Sequence, residues 1–594
     1  MADLSGASNV VQILTEHART RGDFRAVAIV PDPSDPATAQ WVTYDQLDRA
    51  ARGCAATLLR GCRPGDRALL LLPNSAEFVV AILGCFYAGL VPVPSSMPGR
   101  YKQDRRRVRA IARDAGIGAV LTGPDELDDV LTWAAAEDLD VPVLIPDVDP
   151  EPLTEPFTPH DAAPHDLALL QYTSGSTSDP KGARVTQRNL LLNALAIDTH
   201  LSVREGQRYG GWIPNYHDMG LMGHILTPLL AGRGIALMTP AAFLRRPRAW
   251  LELVDHFDIG LSAAPNFAYE LCLTRVPEDS IAGLDLSRWT RTISGSEPVK
   301  ASVLEEFAQR FAPAGLRPEQ LTPCYGMAET TLMISTTSGR VPRVLTADSD
   351  ALEAGRVVAA AADGTGRTLV SCGEPRHLEA CVVDPATGDA LPEGSVGEIW
   401  LRGELVVDGY WCRPDATAAT FGNRVANDPA DAGGWLRTGD LGALVDGEIH
   451  VTGRIKEMLI VRGRNIYPHD IEHELRRQHE ELRDTVGSVV SVAAGGADDT
   501  DGRLVVIHEV RRRGQDEELA RLAAGIRLTV AREFGLRADS VLLMRRGAVR
   551  RTTSGKVQRG TMRALYANGE LEPLWADGYP AAARAVAVAA GEPR

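Results

Sequence analysis

The chain is short of features that mark several protein classes. Its eight cysteines stand apart, at Cys54, Cys62, Cys85, Cys272, Cys324, Cys372, Cys381 and Cys412, and no C-x-x-C occurs. Neither a zinc site nor a disulfide framework is implied, and a reducing, cytoplasmic setting is expected. No apolar run reaches the roughly 20 residues of a membrane span. The greasiest stretch, Phe78 to Val93, contains Gly84, Gly89 and Pro92 and reads as a buried helix followed by a strand. The start, Met1-Ala-Asp-Leu-Ser-Gly, lacks a basic segment followed by an apolar core, so no signal peptide is expected. Internal repeats are absent. Positive charge is in deficit, with 63 Lys+Arg against 78 Asp+Glu and a net charge of −15, which argues against nucleic acid as a partner.

What is there is an ordinary globular balance of 44% hydrophobic and 24% charged residues over 594 positions, enough for several domains. Charge is unevenly placed. From Arg454 onward there are 24 basic and 20 acidic residues, while the remainder carries −19. A basic C-terminal part on an acidic protein suits an acidic partner. Residues 10 to 165 alternate helical patterns (Val10 to Thr20, Tyr44 to Leu59) with strands (Ala26 to Val30, Arg67 to Leu72). The continuous apolar run of the last marks a strand covered on both faces, and the alternation predicts an α/β sheet flanked by helices. Asp104 to Arg113, with Arg105, Arg106, Arg107 and Arg109, reads as a solvated helix face, with a ligand site as the lesser alternative.

The chain is organised around Gln171-Tyr-Thr-Ser-Gly-Ser-Thr-Ser-Asp-Pro-Lys-Gly182. A buried strand, Leu167 to Tyr172, precedes it and a helix begins near Asn189. After that strand, from Thr173 to Gly182, lie five hydroxyl side chains, two glycines, a proline and one lysine. Glycine lets backbone N–H groups approach phosphate oxygens, hydroxyls add donors and lysine adds charge. The common G-x-x-x-x-G-K-[ST] spacing is missing, and composition alone also allows an ordinary Ser/Gly surface loop.

Tyr-Thr-Ser-Gly-Ser-Thr-x-x-Pro-Lys-Gly resembles the phosphate-loop signature of the adenylate-forming superfamily, which includes acyl-CoA ligases, peptide-synthetase adenylation domains and luciferases. Ser178 departs from it, since glycine is commoner there. Further resemblances follow in order. Gly211-Trp-Ile-Pro-Asn-Tyr-His-Asp-Met-Gly-Leu-Met-Gly223 and Ser262-Ala-Ala-Pro-Asn-Phe-Ala-Tyr-Glu-Leu-Cys272 are similar to the fatty acyl-AMP ligase branch. So is the segment from about 340 to 368, an apparent insertion that in the branch restrains the C-terminal domain and disfavours the use of CoA. From composition it is only a surface excursion.

The resemblance implies a large N-terminal adenylate-forming domain, of helix-covered sheets plus a small β-barrel-like subdomain, over residues 1–453. A smaller, mobile α+β C-terminal domain would span 454–594, with its hinge at Lys456. It assigns Thr173, Ser174, Gly175, Ser176, Thr177 and Lys181 to the phosphates. Ser294, Gly295, Ser296, Glu297 and Pro298, with Tyr325, Gly326, Met327 and Ala328, would line the adenine. Tyr325 would stack on the base, and Gly326 would permit close backbone approach. Glu329 would hold Mg²⁺. Asp440 would bind ribose hydroxyls and Arg454 ribose or phosphate. His217 would lie beside the substrate carboxylate. Lys556, in Arg551-Thr-Thr-Ser-Gly-Lys-Val-Gln-Arg559, matches the catalytic lysine, a cation that bridges carboxylate and α-phosphate.

Trp212, Met222, Ile225, Phe267 and Tyr269 are expected as acyl-tunnel walls, with ordinary core an equal alternative for each. The implied activity is ATP- and Mg²⁺-dependent conversion of a fatty acid to an acyl-adenylate. Transfer to the phosphopantetheine thiol of an acyl carrier protein would follow, starting lipopeptide or polyketide synthesis. Arg511 to Arg513, or Arg545 and Arg546, are candidates for the carrier's dock. An acyl-CoA ligase and a non-catalytic acyl- or nucleotide-binding protein remain as alternatives.

Overall fold

The structure is a computed structural model. It describes residues 6–99, 102–153, 155–173, 180–361, 366–461, 464–492, 503–511, 514–552 and 555–577. Ser174, Gly175, Ser176 and Thr177 of the phosphate loop, and Arg512 and Arg513, lie outside these.

The expected α/β organisation is present. Arg67–Leu71 sits parallel between Val91–Pro94 and Ile117–Thr122, and Ala68 to Leu71 are fully buried. The helix Ala76–Ala88 covers that sheet. It starts on the Ser75 side chain and stops at Gly89, whose φ of +70° is cheap only without a Cβ. Helix Tyr44–Leu58 begins with a capping box of Thr43 and Gln46.

A nine-stranded sheet carries the rest of the N-terminal part. At its centre Arg208–Gly211, Ile259–Pro265, Arg291–Gly295 and Leu321–Gly326 run parallel. Pro265 is level with Gly295, and Ser294 with Pro323. Four strand ends therefore open on one crevice, the place where α/β sheets bind ligands. The phosphate-loop region departs from expectation. Leu167–Tyr172 pairs antiparallel with a second strand, Gly182–Thr186, and only then does helix Gln187–His200 begin, capped by Thr186. The loop thus joins two strands of a hairpin rather than a strand and a helix.

A four-stranded antiparallel sheet, Glu379–Val383, Gly397–Arg402, Leu436–Val445 and Glu448–Arg454, forms the small subdomain. In the segment expected as an insertion, Val344–Asp348 pairs with Gly366–Val370, and Ala347, Leu352 and Leu369 make a small core of their own. Beyond Arg454, the strands Gly487–Val492, Arg503–Glu509, Ala538–Met544 and Trp575–Asp577 form a sheet with helices Pro468–Gln478, Asp516–Phe534 and Arg559–Ala567. Their two apolar clusters draw only on residues after Met458. No helix among the described residues is long and apolar enough to cross a membrane.

Candidate active site

The parallel strand ends bring the separate motifs together. Leu321–Gly326 delivers Tyr325, whose hydroxyl donates to Asp440 Oδ2 at 2.6 Å. Arg454 Nε donates to Asp440 Oδ1 at 2.6 Å. Asp440 is 3% exposed, so both carboxylate oxygens are oriented, and each retains lone pairs for further donors. Gly326 has no room for a side chain, because a Cβ there would stand 2.1 Å from Leu332 O. Ser294 Oγ is buried without a hydrogen-bond partner among the described residues. Ser296 holds φ +65°, a strained value for a side chain other than glycine. Glu297 Oε1 accepts from Phe267 N at 2.6 Å, and burial pushes its carboxyl up. Pro298, Met327 and Ala328 flank these residues in the chain.

Glu329 is 8% exposed and makes no ion pair among the described residues. Burial raises its pKa, and one oxygen, Oε1, accepts from Tyr410 Oη at 2.7 Å. A buried carboxylate without a cationic partner suits a hard divalent cation, so the residue fits Mg²⁺. Tyr410 also meets the phosphate loop, with Lys181 Nζ 5.0 Å from its ring centroid. Tyr410 was not foreseen. Its only sequence signal is Gly409-Tyr410 in a stretch without a charged motif. Thr173 N bonds Lys181 O at 3.2 Å, closing the loop's base.

Arg107 overturns the reading of its helix as merely solvated. On helix Lys102–Ala115, Arg105 and Arg106 are exposed, but Arg107 Nη2 donates to Thr173 O at 2.8 Å. Burial lowers its pKa. Helical periodicity turns one basic residue inward at the phosphate loop.

His217 lies just before a π-helix, Met219–Leu226, a form frequent at functional sites. His217 Nδ1 and Asp218 Oδ1 are 2.7 Å apart. Asp218 caps the π-helix through Met219 N, also at 2.7 Å. Burial opposes ionisation of Asp218, but His217 and Lys556 more than offset it, and its carboxyl titrates below the usual range. Lys556 comes from the C-terminal part in a tight turn: Thr552 N bonds Lys556 O at 2.7 Å, and Gly555 has φ +88°. A Cβ on Gly555 would stand 3.2 Å from the Phe267 ring, so the turn is seated against the N-terminal part. Burial and then Arg454 lower the Lys556 pKa, while Asp218, Glu297 and Asp440 oppose that. One cation therefore sees carboxylates from three motifs.

A cavity runs from Asp218, Ser296 and Tyr325 to an apolar wall that includes Ile197, Leu201, Leu261, Ala263, Ile293 and Met333. None of the five expected tunnel residues lines it. Trp212 stacks on Phe243 with centroids 4.0 Å apart, and Tyr269 Oη donates to Ile293 O at 2.6 Å within the same core. Met222 and Ile225 pack into the opposite cluster, because the π-helix turns Met219 and Gly223 to the cavity instead. Phe267 meets the Lys556 turn.

Polar contacts also join the two parts. Lys300 Nζ lies 2.8 Å from Glu270 Oε1 and 3.0 Å from His473 Nδ1. Arg367, in the segment expected as an insertion, reaches Asp470 at 3.0 Å, Thr452 O at 2.9 Å and the Tyr467 ring at 4.4 Å. Lys456 is exposed in the turn after Arg454, and the neighbouring Glu457 pairs with Arg559 at 2.8 Å.

Residues 14–411 match the AMP-binding enzyme family. The chain belongs to the AMP-binding enzymes. Its branch is that of the fatty acyl-AMP ligases. The medium-chain-fatty-acid–[acyl-carrier-protein] ligase JamA of Moorena producens is 37% identical over 542 residues, 89% of this chain and 90% of that protein. A structure from a study of fatty acyl-adenylate ligases from E. coli and L. pneumophila superposes with a TM-score of 0.84 at 31% identity, covering 96% and 99% of the two chains. The L. pneumophila fatty acyl-adenylate ligase in complex with acyl adenylate and pyrophosphate gives 0.73 at 32% identity, covering 97% and 99%. Residues 456–574 of the ligase also match the AMP domain of Disco-interacting protein 2-like proteins.

Proposed function

We infer that this adenylate-forming ligase activates a fatty acid at the crevice and passes the acyl group to the phosphopantetheine thiol of an acyl carrier protein, in the cytoplasm. The observation that carries this reading is the cavity joining Asp218, Ser296 and Tyr325 to an apolar wall, with the Lys556 turn seated beside it. A carboxylate needs no general base at neutral pH. It needs alignment with the α-phosphorus and relief from charge repulsion. Its oxygen forms a bond to that phosphorus as the bond to pyrophosphate breaks.

In this reading His217, held by Asp218, orients the carboxylate. Lys556 spans carboxylate and α-phosphate, and Lys181 with the loop from Thr173 holds the departing phosphates. Asp440 and Arg454 take the ribose, and Tyr325 the adenine. Glu329 would hold Mg²⁺, which when bound supplies positive charge to the phosphate oxygens. The thiol then attacks the acyl carbon, and AMP and a proton leave. Residues from Arg454 onward form the moving domain, turning about Lys456. Arg367 on Asp470 gives the insertion a physical hold on it, which favours the carrier thiol over CoA. Arg511, Arg545 and Arg546 are exposed and suit an acidic carrier.

Pyrophosphate release tests the first step. Wild type should release it with ATP and a fatty acid, and Lys556→Ala should lose about 100-fold or more. No release from either, across short and long acids, would favour a binding protein on this fold.

A further inference from the structure

Tyr410 lies where two charged groups of the phosphate site meet, and no motif assigns it a role. Its backbone continues the hairpin that carries the phosphate loop. Tyr410 bridges Ala183, Arg184 N bonds Gly409 O at 3.0 Å, and Trp411 N bonds Gly182 O at 2.8 Å. Tyr410 N is held by Thr417 Oγ1 at 3.0 Å, and Phe421 packs edge-on against the ring at 5.2 Å. The ring is therefore fixed from behind. Its face meets Lys181 Nζ at 5.0 Å and its hydroxyl donates to Glu329 Oε1 at 2.7 Å. Neither Lys181 nor Glu329 has an ion-pair partner among the described residues. The tyrosine keeps the ammonium and the carboxylate in place without neutralising either.

We propose that Tyr410 is the positioning residue of the phosphate site: its ring presents Lys181 to the β- and γ-phosphates, and its hydroxyl pins Glu329 Oε1 so that Oε2 faces the divalent cation. This rests on the reading of Lys181 and Glu329 given above. The two functions separate chemically. Phenylalanine keeps the cation–π face and loses the hydroxyl, whereas leucine loses both.

The test uses the full chain as wild type, Tyr410→Phe, Tyr410→Leu and Glu329→Gln, each checked for an unchanged melting profile. The probes are Mn²⁺, with free ion counted by electron paramagnetic resonance in the presence of α,β-methylene-ATP, and calorimetric binding of that analogue in EDTA. Tyr410→Phe is expected to weaken Mn²⁺ binding about tenfold, the value of a hydrogen bond to a charged group. It should leave metal-free analogue binding within about twofold, because Lys181 keeps its ring. Tyr410→Leu should weaken the metal-free analogue as well, by about threefold to tenfold.

Wild-type Mn²⁺ binding by Tyr410→Phe, or equal loss of metal-free binding by both Tyr410 variants, would overturn the proposal while Glu329→Gln still loses the ion. If Glu329→Gln binds Mn²⁺ like wild type, the assignment of the metal to Glu329 fails and the proposal falls with it.

Discussion

Replacing Glu270 by glutamine tests whether charge holds the two parts together in the arrangement described. Glu270 is on helix Asn266–Arg275 of the N-terminal part. Its Oε1 accepts from Lys300 Nζ at 2.8 Å and from Asn266 Nδ2 at 3.1 Å. Lys300 in turn reaches His473 at 3.0 Å in the C-terminal part. Burial favours the neutral acid, but Lys300 and then Arg476 outweigh it, and the carboxyl falls from 4.5 to about 2. A carboxyl held that far down stabilises the folded charged form by about 3 kcal/mol.

Because the folded pKa is the lower one, this stability is complete above the unfolded value of 4.5. It is lost as pH falls through about 2. Glu270→Gln also removes the carboxylate that Lys300 donates to, leaving Lys300, Arg476 and His473 with the weaker counter-charges of Glu297, Asp470 and Glu474. Calorimetric melts at pH 7 should show the variant lower by roughly 5–10 °C for a unit the size of the C-terminal part. The gap to wild type should narrow steadily below pH 4.5. A gap under about 1 °C at pH 7, or one that does not change between pH 7 and pH 3.5, would refute the reasoning.

Other perturbations separate the roles assigned above. Asp440→Asn loses the charge that orients Arg454 and should raise the KM for ATP about 10- to 100-fold, while the KM for the fatty acid moves little; steady-state kinetics with each substrate varied would show it. Ala263→Phe fills the apolar cavity and should shift preference to acids shorter by several carbons, read from products of a mixed-chain pool, whereas Met222→Phe should not shift it. The lowered Lys556 pKa places the alkaline limb of adenylate formation below the ordinary lysine value, since the ammonium loses its proton earlier. A pH profile with Lys556→Arg should show that limb moved upward.

Much of the fold was legible because its signals are local. The double-sided apolar run at Arg67, the stop at Gly89 and the helix from Tyr44 each follow from neighbouring residues. The motif residues were legible for a related reason: Gly326 and Gly555 are fixed by backbone geometry that leaves little alternative. The parts that were not legible depend on direction. Whether Arg107 faces water or Thr173 O turns on how its helix packs. The five residues expected as tunnel walls lie off the cavity, in keeping with the core alternative held open for each, and no composition signal marks the π-helix Met219–Leu226, whose Met219 and Gly223 line that cavity. Ile197 and Leu201, at the end of helix Gln187–His200 and just beyond it, carry no sequence signal that sets them on the cavity. Tyr410 gains its place only from pairing with a strand more than two hundred residues earlier.

The most direct test of the account is acyl transfer followed by mass spectrometry. The ligase, Mg·ATP and fatty acids from short to long chains are offered free CoA in one reaction and a phosphopantetheinylated carrier protein in another. The account predicts acyl-adenylate in both, acylated carrier in the second and no acyl-CoA in the first. Abundant acyl-CoA would contradict it, and so would the absence of acyl-adenylate with every acid.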